Sequence, residues 1–241
     1  MNMQPGLCEG RLTGDAGAAC AASLLLQRHR LVRLSPTGWQ RVLDRNWDAQ
    51  AGECLELWGR SQFPLVVTRQ RVGAQGIALG LPAPERFGRR RLALEVDAND
   101  LLSFDEFPLA QAMTPLLHGS LHDAWRALCA GLADVGCMAR VYGSHGWQAI
   151  TRLPYLHAES DLDLMLAVDG PAMADAVCTV LAASPIGRPR LDGELLFGDG
   201  AAVAWREWHR WRAGLTRQVL VKRLEGVGLE TEAAFAQPLP C

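Results

Sequence analysis

Val141-Tyr142-Gly143-Ser144, followed by Ser160-Asp161-Leu162-Asp163-Leu164-Met165-Leu166, is the stretch on which the fold of this chain turns. It reads as a strand ending in Gly-Ser, a loop through His145-Gly146-Trp147, and a second strand whose alternate residues are carboxylates. Side chains two apart on a strand share a face. Asp161 and Asp163 therefore stand side by side, about 7 Å apart at Cα, while Leu162, Leu164 and Leu166 pack on the opposite face. Adjacent carboxylates repel unless a cation lies between them, and Mg²⁺ favours carboxylate oxygens together with substrate phosphates. Gly143 and Ser144 let backbone N–H groups approach an anion closely. This combination points to metal-assisted phosphoryl or nucleotidyl transfer.

Working outward, Arg190 to Phe197 forms a further strand, turned at Gly198-Asp199-Gly200 into Ala201 to Trp205 as a hairpin. Asp192 and Glu194 share one of its faces. A mixed sheet that sets this hairpin beside the Asp-x-Asp strand brings up a third carboxylate, as two-metal transfer needs. Spacing leaves both residues open; Glu194 is preferred, because Asp192 precedes Gly193 and can serve the backbone locally. Pro171 opens a helix to Ala183. Ser120-Leu121-His122-Asp123 resembles a capping box, opening a helix with Leu121, Trp125, Leu128 and Leu132 on one stripe that stops at Gly136. Upstream, strands at His29–Leu34, Pro64–Arg69, Gly76–Leu81 and Arg91–Val96 and a helix carrying Trp39, Val42, Leu43 and Trp47 make a smaller module. The expected fold is α/β (α+β) with two modules, the C-terminal one a mixed sheet flanked by helices. The expected divisions are a disordered leader over 1–26, the N-terminal α/β module over 27–100, a polar linker from Asn99 to His118, the catalytic domain over 118–225 and a tail over 226–241.

Composition narrows the function classes. The chain has 241 residues, enough for one large or two small domains, and a net charge of −2, which argues against a dedicated nucleic-acid binder. Its seven cysteines are scattered without a C-x-x-C pair, so neither a disulfide framework nor a zinc site is expected, and Cys129 and Cys178 read as core thiols. No apolar run reaches a membrane span, and the Gly- and Ala-rich first 24 residues lack the basic start of a signal peptide. Cytoplasm is the expected location. His118 and His122 have the i, i+4 spacing of a metal pair but no partnering motif, so zinc is not expected. Arg152, Arg188, Arg190, Lys222 and Arg223 divide between surface and phosphate clamp, with Lys222, after an apolar strand, the better clamp. Arg89-Arg90-Arg91 reads as a solvated edge. Most tryptophans are core, while Trp147, in the site loop, is a candidate for stacking on adenine.

Gly143-Ser144, Asp161-x-Asp163 and the later acidic strand resemble the DNA polymerase β-type nucleotidyltransferase superfamily. The fuller string from Tyr142 to Tyr155, running into Ser160 to Leu164, is more specific. With Arg28-His29-Arg30-Leu31-Val32, Pro64 to Arg69, Asp192-Gly193-Glu194 and Val203 to Trp208, the chain resembles the malonate decarboxylase holo-acyl-carrier-protein synthases, the phosphoribosyl-dephospho-CoA transferase family, over Gln27 to Glu225. The resemblance implies transfer of the phosphoribosyl-dephospho-CoA group from 2′-(5″-triphosphoribosyl)-3′-dephospho-CoA to a serine of the decarboxylase's small acyl-carrier subunit, with release of pyrophosphate. It implies Mg²⁺ on Asp161 and Asp163, with Glu194 or Asp192 completing the metal site or accepting the proton. Gly143 and Ser144 would bind the leaving phosphates, Lys222 would be a charge partner, and the N-terminal module would dock the carrier or the pantetheine arm. Two rivals remain: a nucleotidyltransferase using ATP on another acceptor, and a non-catalytic carrier-binding partner.

Overall fold

The computed structural model describes residues 26–231 and Phe235. The leader expected over 1–26 lies almost wholly outside these residues, as does most of the stretch after Thr231. Cys8, Cys20 and Cys241 lie outside them too.

Hydrophobic alternation builds two sheets. In the first, β1 (Leu31–Leu34), β2 (Leu65–Val67), β3 (Ile77–Pro82), β4 (Arg91–Val96) and β5 (Leu101–Asp105) run in the order β4-β3-β2-β1-β5. Helices α1 (Pro36–Leu43) and α2 (Ala49–Ser61) cover one face. Ser35 caps α1 by accepting from the Gly38 N–H, and Asp48 caps α2 by accepting from Ala51. α2 goes beyond the sequence reading: Gly52 and Gly59 dilute its apolar pattern, yet Cys54, Leu55 and Trp58 are fully buried. β5 corrects the linker expected from Asn99 to His118. It is a largely exposed edge strand without alternation, held by pairing with the free edge of β1.

The second sheet has six strands in the order β11-β10-β9-β8-β7-β6. They are β6 (Arg140–Val141), β7 (Leu162–Val168), β8 (Leu191–Phe197), β9 (Ala202–Ala204), β10 (Val219–Lys222) and β11 (Val227–Glu230). Among the described strands only β7 and β8 pair in parallel, joined by the crossover helix α5 (Pro171–Ala183). β8 and β9 form the expected hairpin beside the Asp-x-Asp strand. β11 falls in the stretch expected as a tail; four residues of it pair antiparallel with β10. Leu162, Leu164 and Leu166 are buried on the helix-covered face, as the alternation required.

Three local expectations need correction. α3 (His122–Asp134) starts without a capping box: Ser120 bonds the His118 ring instead. His145-Gly146-Trp147 is not a loop, because Gly143–Thr151 forms α4 directly after β6. Trp147 is therefore core, packed edge-on to Phe107 and stacked near Tyr155. Cys129 and Cys178 are buried free thiols, as expected. After these comes α6 (Trp205–Arg212), whose Trp208 is fully buried.

The modules meet through a third small core of Leu31, Phe107 and Trp147. Tyr155 donates to the Pro82 carbonyl across the boundary at 2.7 Å. Glu106 is paired by Arg30 of the first module and Arg140 of the second.

Candidate active site

The site lies where β7 and β8 emerge beside the start of α4. The parallel register sets Asp163 opposite Asp192 and Met165 opposite Glu194. The three carboxylates Asp161, Asp163 and Asp192 thus occupy one end of the sheet, while Glu194 stands two residues deeper. Glycine permits this closeness. Gly143, the first residue of α4, has φ +60°, and a Cβ there would fall 1.9 Å from the Asp163 carboxylate. A Cβ on Gly193 would fall 2.1 Å from the Leu164 carbonyl. No other residue fits either place.

Arg190 is fixed in the carboxylate row. Its guanidinium donates to Asp161 through Nε at 3.2 Å and Nη2 at 2.5 Å, and to Asp192 Oδ2 at 3.0 Å. That bonding holds the Asp161 carboxyl below the usual range. Asp192 also serves the backbone, as its position before Gly193 suggested, accepting from the Gly193 N–H at 2.8 Å. Asp163 is different. Its carboxylate accepts no hydrogen bond from the described residues, and burial, with Asp192 and Asp161 beside it, pushes its carboxyl up to about 7.

Glu194 belongs to another cluster. It is 5% exposed and is held by Lys222 Nζ at 2.6 Å and His29 Nε2 at 2.8 Å, with Arg28 at 3.7 Å. Burial alone would raise its carboxyl, but His29 and then Lys222 outweigh it and bring it to about 2. Lys222 is thereby spent on Glu194. His29 is the residue the sequence reading passed over. It adopts φ +63°, its ring lies 4.5 Å from that of Tyr142, and it carries the N-terminal module onto a strand of the catalytic sheet. A histidine between two arginines gives no sign of this, because its partner is 165 residues away.

The other candidates disperse. Arg152 ends α4 with φ +61°, Arg223 pairs with Asp199 and Glu230, and Arg188 lines a cavity with Asp161. Arg89 pairs with Glu85 and Arg90 with Asp48. His118 bonds Ser120, and His122 bonds the Leu117 carbonyl.

The carboxylate row has space on both sides. Asp163, Gly143 and Ser144 line a cleft of 620 Å³ between the modules, and Asp161 and Arg190 line another cavity of 570 Å³. Among the described residues no three His, Cys, Asp or Glu side chains form a finished metal-ligand group. The donor set nevertheless suits a hard cation: three carboxylates share one end of the sheet, one is unpaired, and a guanidinium already bridges the other two. Among the described residues no helix is long and apolar enough to cross a membrane.

Comparison with known proteins agrees with this division into two modules. Residues 27–107 match the phosphoribosyl-dephospho-CoA transferase MdcG N-terminal domain, and residues 108–233 match its C-terminal domain. A phosphoribosyl-dephospho-CoA transferase of Bradyrhizobium diazoefficiens is 38% identical over 84% of this chain and 88% of that protein. One from Xanthomonas campestris pv. campestris is 40% identical over 75% of this chain and 84% of its own length. No solved structure matches the chain. With both of its modules matched, and with full-length relatives at this level of identity, the chain belongs to the phosphoribosyl-dephospho-CoA transferase family.

Proposed function

We propose that this protein transfers the phosphoribosyl-dephospho-CoA group from 2′-(5″-triphosphoribosyl)-3′-dephospho-CoA to a serine of the apo acyl-carrier subunit of malonate decarboxylase, in the cytoplasm. The observation that carries the reading is the facing register of Asp163 and Asp192, with Gly143 pressed against Asp163.

In this reading the serine oxygen of the carrier attacks the α-phosphorus of the triphosphate. A new O–P bond forms, the bond to the bridging oxygen breaks, and pyrophosphate leaves. Asp161, Asp163 and Asp192 would hold Mg²⁺, whose chemistry there is to offset phosphate charge and sharpen the attacking hydroxyl. Asp192, one-third exposed and beside Asp163, takes the proton of the attacking serine. Glu194 is enclosed by Lys222 and His29 and positions β8 from behind. The unpaired amides at the start of α4, at Gly143 and Ser144, receive the leaving phosphates, aided by the helix dipole. Arg190 releases Asp161 when the donor enters and then faces phosphate. The two cavities flanking the row suit the approach of donor and acceptor from different sides.

Intact-mass spectrometry of the apo carrier subunit, incubated with this protein, Mg²⁺ and the donor, tests the reading. The expected result is a prosthetic-group-sized gain that Asp163→Ala abolishes. Adenylylation of an acceptor from ATP, without that gain, would instead make it a general nucleotidyltransferase. Carrier binding with no transfer of either kind would make it a docking protein.

A further inference from the structure

The cleft between the modules has a second wall, which the chemistry above does not use. It is the outer face of the N-terminal sheet. Leu79, Leu81, Leu92 and Leu94 point into that module's core, so their neighbours on β2, β3 and β4 point the other way, towards the catalytic domain. Val66, Gly80 and Ala93 pair across the three strands in one row. Ala93 is exposed, and Gly80 has no room for a larger side chain, since a Cβ would meet the Thr68 methyl at 2.8 Å. The result is a flat, shallow floor opposite Gly143, Ser144 and Asp163.

Positive charge lies at the margin of this floor. Arg33, Arg41, Arg89 and Arg90 each pair with a carboxylate. Arg69 and Arg91, which both line the cleft, are exposed, and their side chains have no ion pair or hydrogen bond among the described residues. Among the described residues the one carboxylate lining the cleft is Asp163, on the opposite wall. Two unneutralised guanidiniums beside a flat floor, in a cleft of 620 Å³, match a ligand with a planar ring and a phosphate group. That volume falls within the roughly 300–1,000 Å³ of small-ligand sites.

We infer that the outer face of the N-terminal sheet binds the dephospho-CoA half of the donor, with adenosine on the Val66-Gly80-Ala93 floor and its phosphate groups reached by Arg69 and Arg91 from the two ends of that row. The inference rests on the transferase reading for the identity of the ligand. It makes the first module a substrate-binding wall of the active site: the donor would span the cleft, with its triphosphate end at Gly143 and Asp163 and its nucleotide end on the sheet.

The test is calorimetric titration of the full-length protein with dephospho-CoA, which lacks the reacting triphosphate arm, alongside transfer kinetics with the whole donor. Arg69→Ala and Arg91→Ala should each weaken dephospho-CoA binding about tenfold, a scale set by losing a charge-assisted contact. They should raise the donor KM by a similar factor and leave kcat and the melting temperature near wild type. Ala93→Phe, which fills the floor without changing charge, should also block binding. Asp163→Asn should bind dephospho-CoA normally while transferring nothing. Unchanged dephospho-CoA affinity in the arginine double variant, or no saturable binding to a wild type that performs transfer, would overturn the inference and leave the transferase reading intact. Arginine-dependent binding of dephospho-CoA by a wild type that transfers nothing would uphold the site and sink the transferase reading instead.

Discussion

Replacing Glu194 by glutamine separates charge from shape at the junction of the two modules. The amide keeps the volume and hydrogen-bonding reach of the carboxylate but mimics its protonated form. In the folded protein His29 and Lys222 overcome the effect of burial and hold the Glu194 carboxyl at about 2, against 4.5 ordinarily. Because the folded value is depressed, the stabilisation is complete above the unfolded value and is lost as pH falls through the folded one. The shift corresponds to about 3 kcal/mol at pH 7, about 2 kcal/mol at pH 3.5 and under about 1 kcal/mol at pH 2.5. Glu194→Gln should therefore be less stable than wild type by about 3 kcal/mol at neutral pH, with the two converging in acid. Urea unfolding followed by tryptophan fluorescence at a series of pH values reads the difference directly. A deficit that persists undiminished at pH 2.5 would mean that geometry, not charge, is responsible. A deficit below about 1 kcal/mol at pH 7 would refute the charge cluster itself. Transfer activity adds a second readout. A Glu194 that only positions β8 predicts a folded variant with measurable kcat, whereas loss of all turnover in folded protein would make Glu194 the proton acceptor.

Gly143→Ala should lose transfer almost completely, because its Cβ falls on the Asp163 carboxylate, with a stability loss of about 1–2 kcal/mol from the left-handed backbone. A variant with wild-type kcat would place the reacting phosphate elsewhere. Gly193→Ala drives a Cβ into the Leu164 carbonyl between the two central strands and should cost about 3 kcal/mol or more, visible as a large drop in melting temperature. Asp163 carries the opposite sign from Glu194. Its folded value of about 7 exceeds the unfolded 3.8, so wild-type stability should decline as pH rises from about 4 to 7. Without divalent ions, Asp163→Asn should be more stable than wild type at pH 8, by about 2 kcal/mol after allowing for solvent screening. Added Mg²⁺ should raise the melting temperature of wild type and not of Asp163→Asn; equal shifts in both would remove Asp163 from the metal site.

Much of the catalytic module was legible because its signals are local. The two-residue period of Leu162, Leu164 and Leu166 fixes which way Asp161 and Asp163 point, and Pro171 starts α5 where a missing N–H costs nothing. What local pattern misled was the loop after Ser144. Gly143 and Gly146 look like turn residues, yet Gly143 is needed for its contact with Asp163, and a Cβ on Gly146 would meet the Val141 carbonyl at 2.4 Å. Both glycines answer to neighbours that the helix itself brings close. β5 and β11 were missed for a related reason. An edge strand buries little, so pairing with β1 or β10 holds it where no apolar alternation marks it.

The choice between Asp192 and Glu194 shows where sequence stops. Both lie on one face of β8, and spacing treats them alike. The register against β7 puts Asp192 opposite Asp163, while the distant residues Lys222 and His29 close around Glu194. The sequence by itself determined the alternating strands, the carboxylate pair and the family resemblance, because each depends on neighbours in the chain. Only the tertiary structure set Asp192 opposite Asp163, closed Lys222 and His29 around Glu194, buried Trp147 in the core, and brought Arg69 and Arg91 to the cleft from another module. Those outcomes depend on strand register and on contacts between residues far apart in sequence, where no local pattern carries the information.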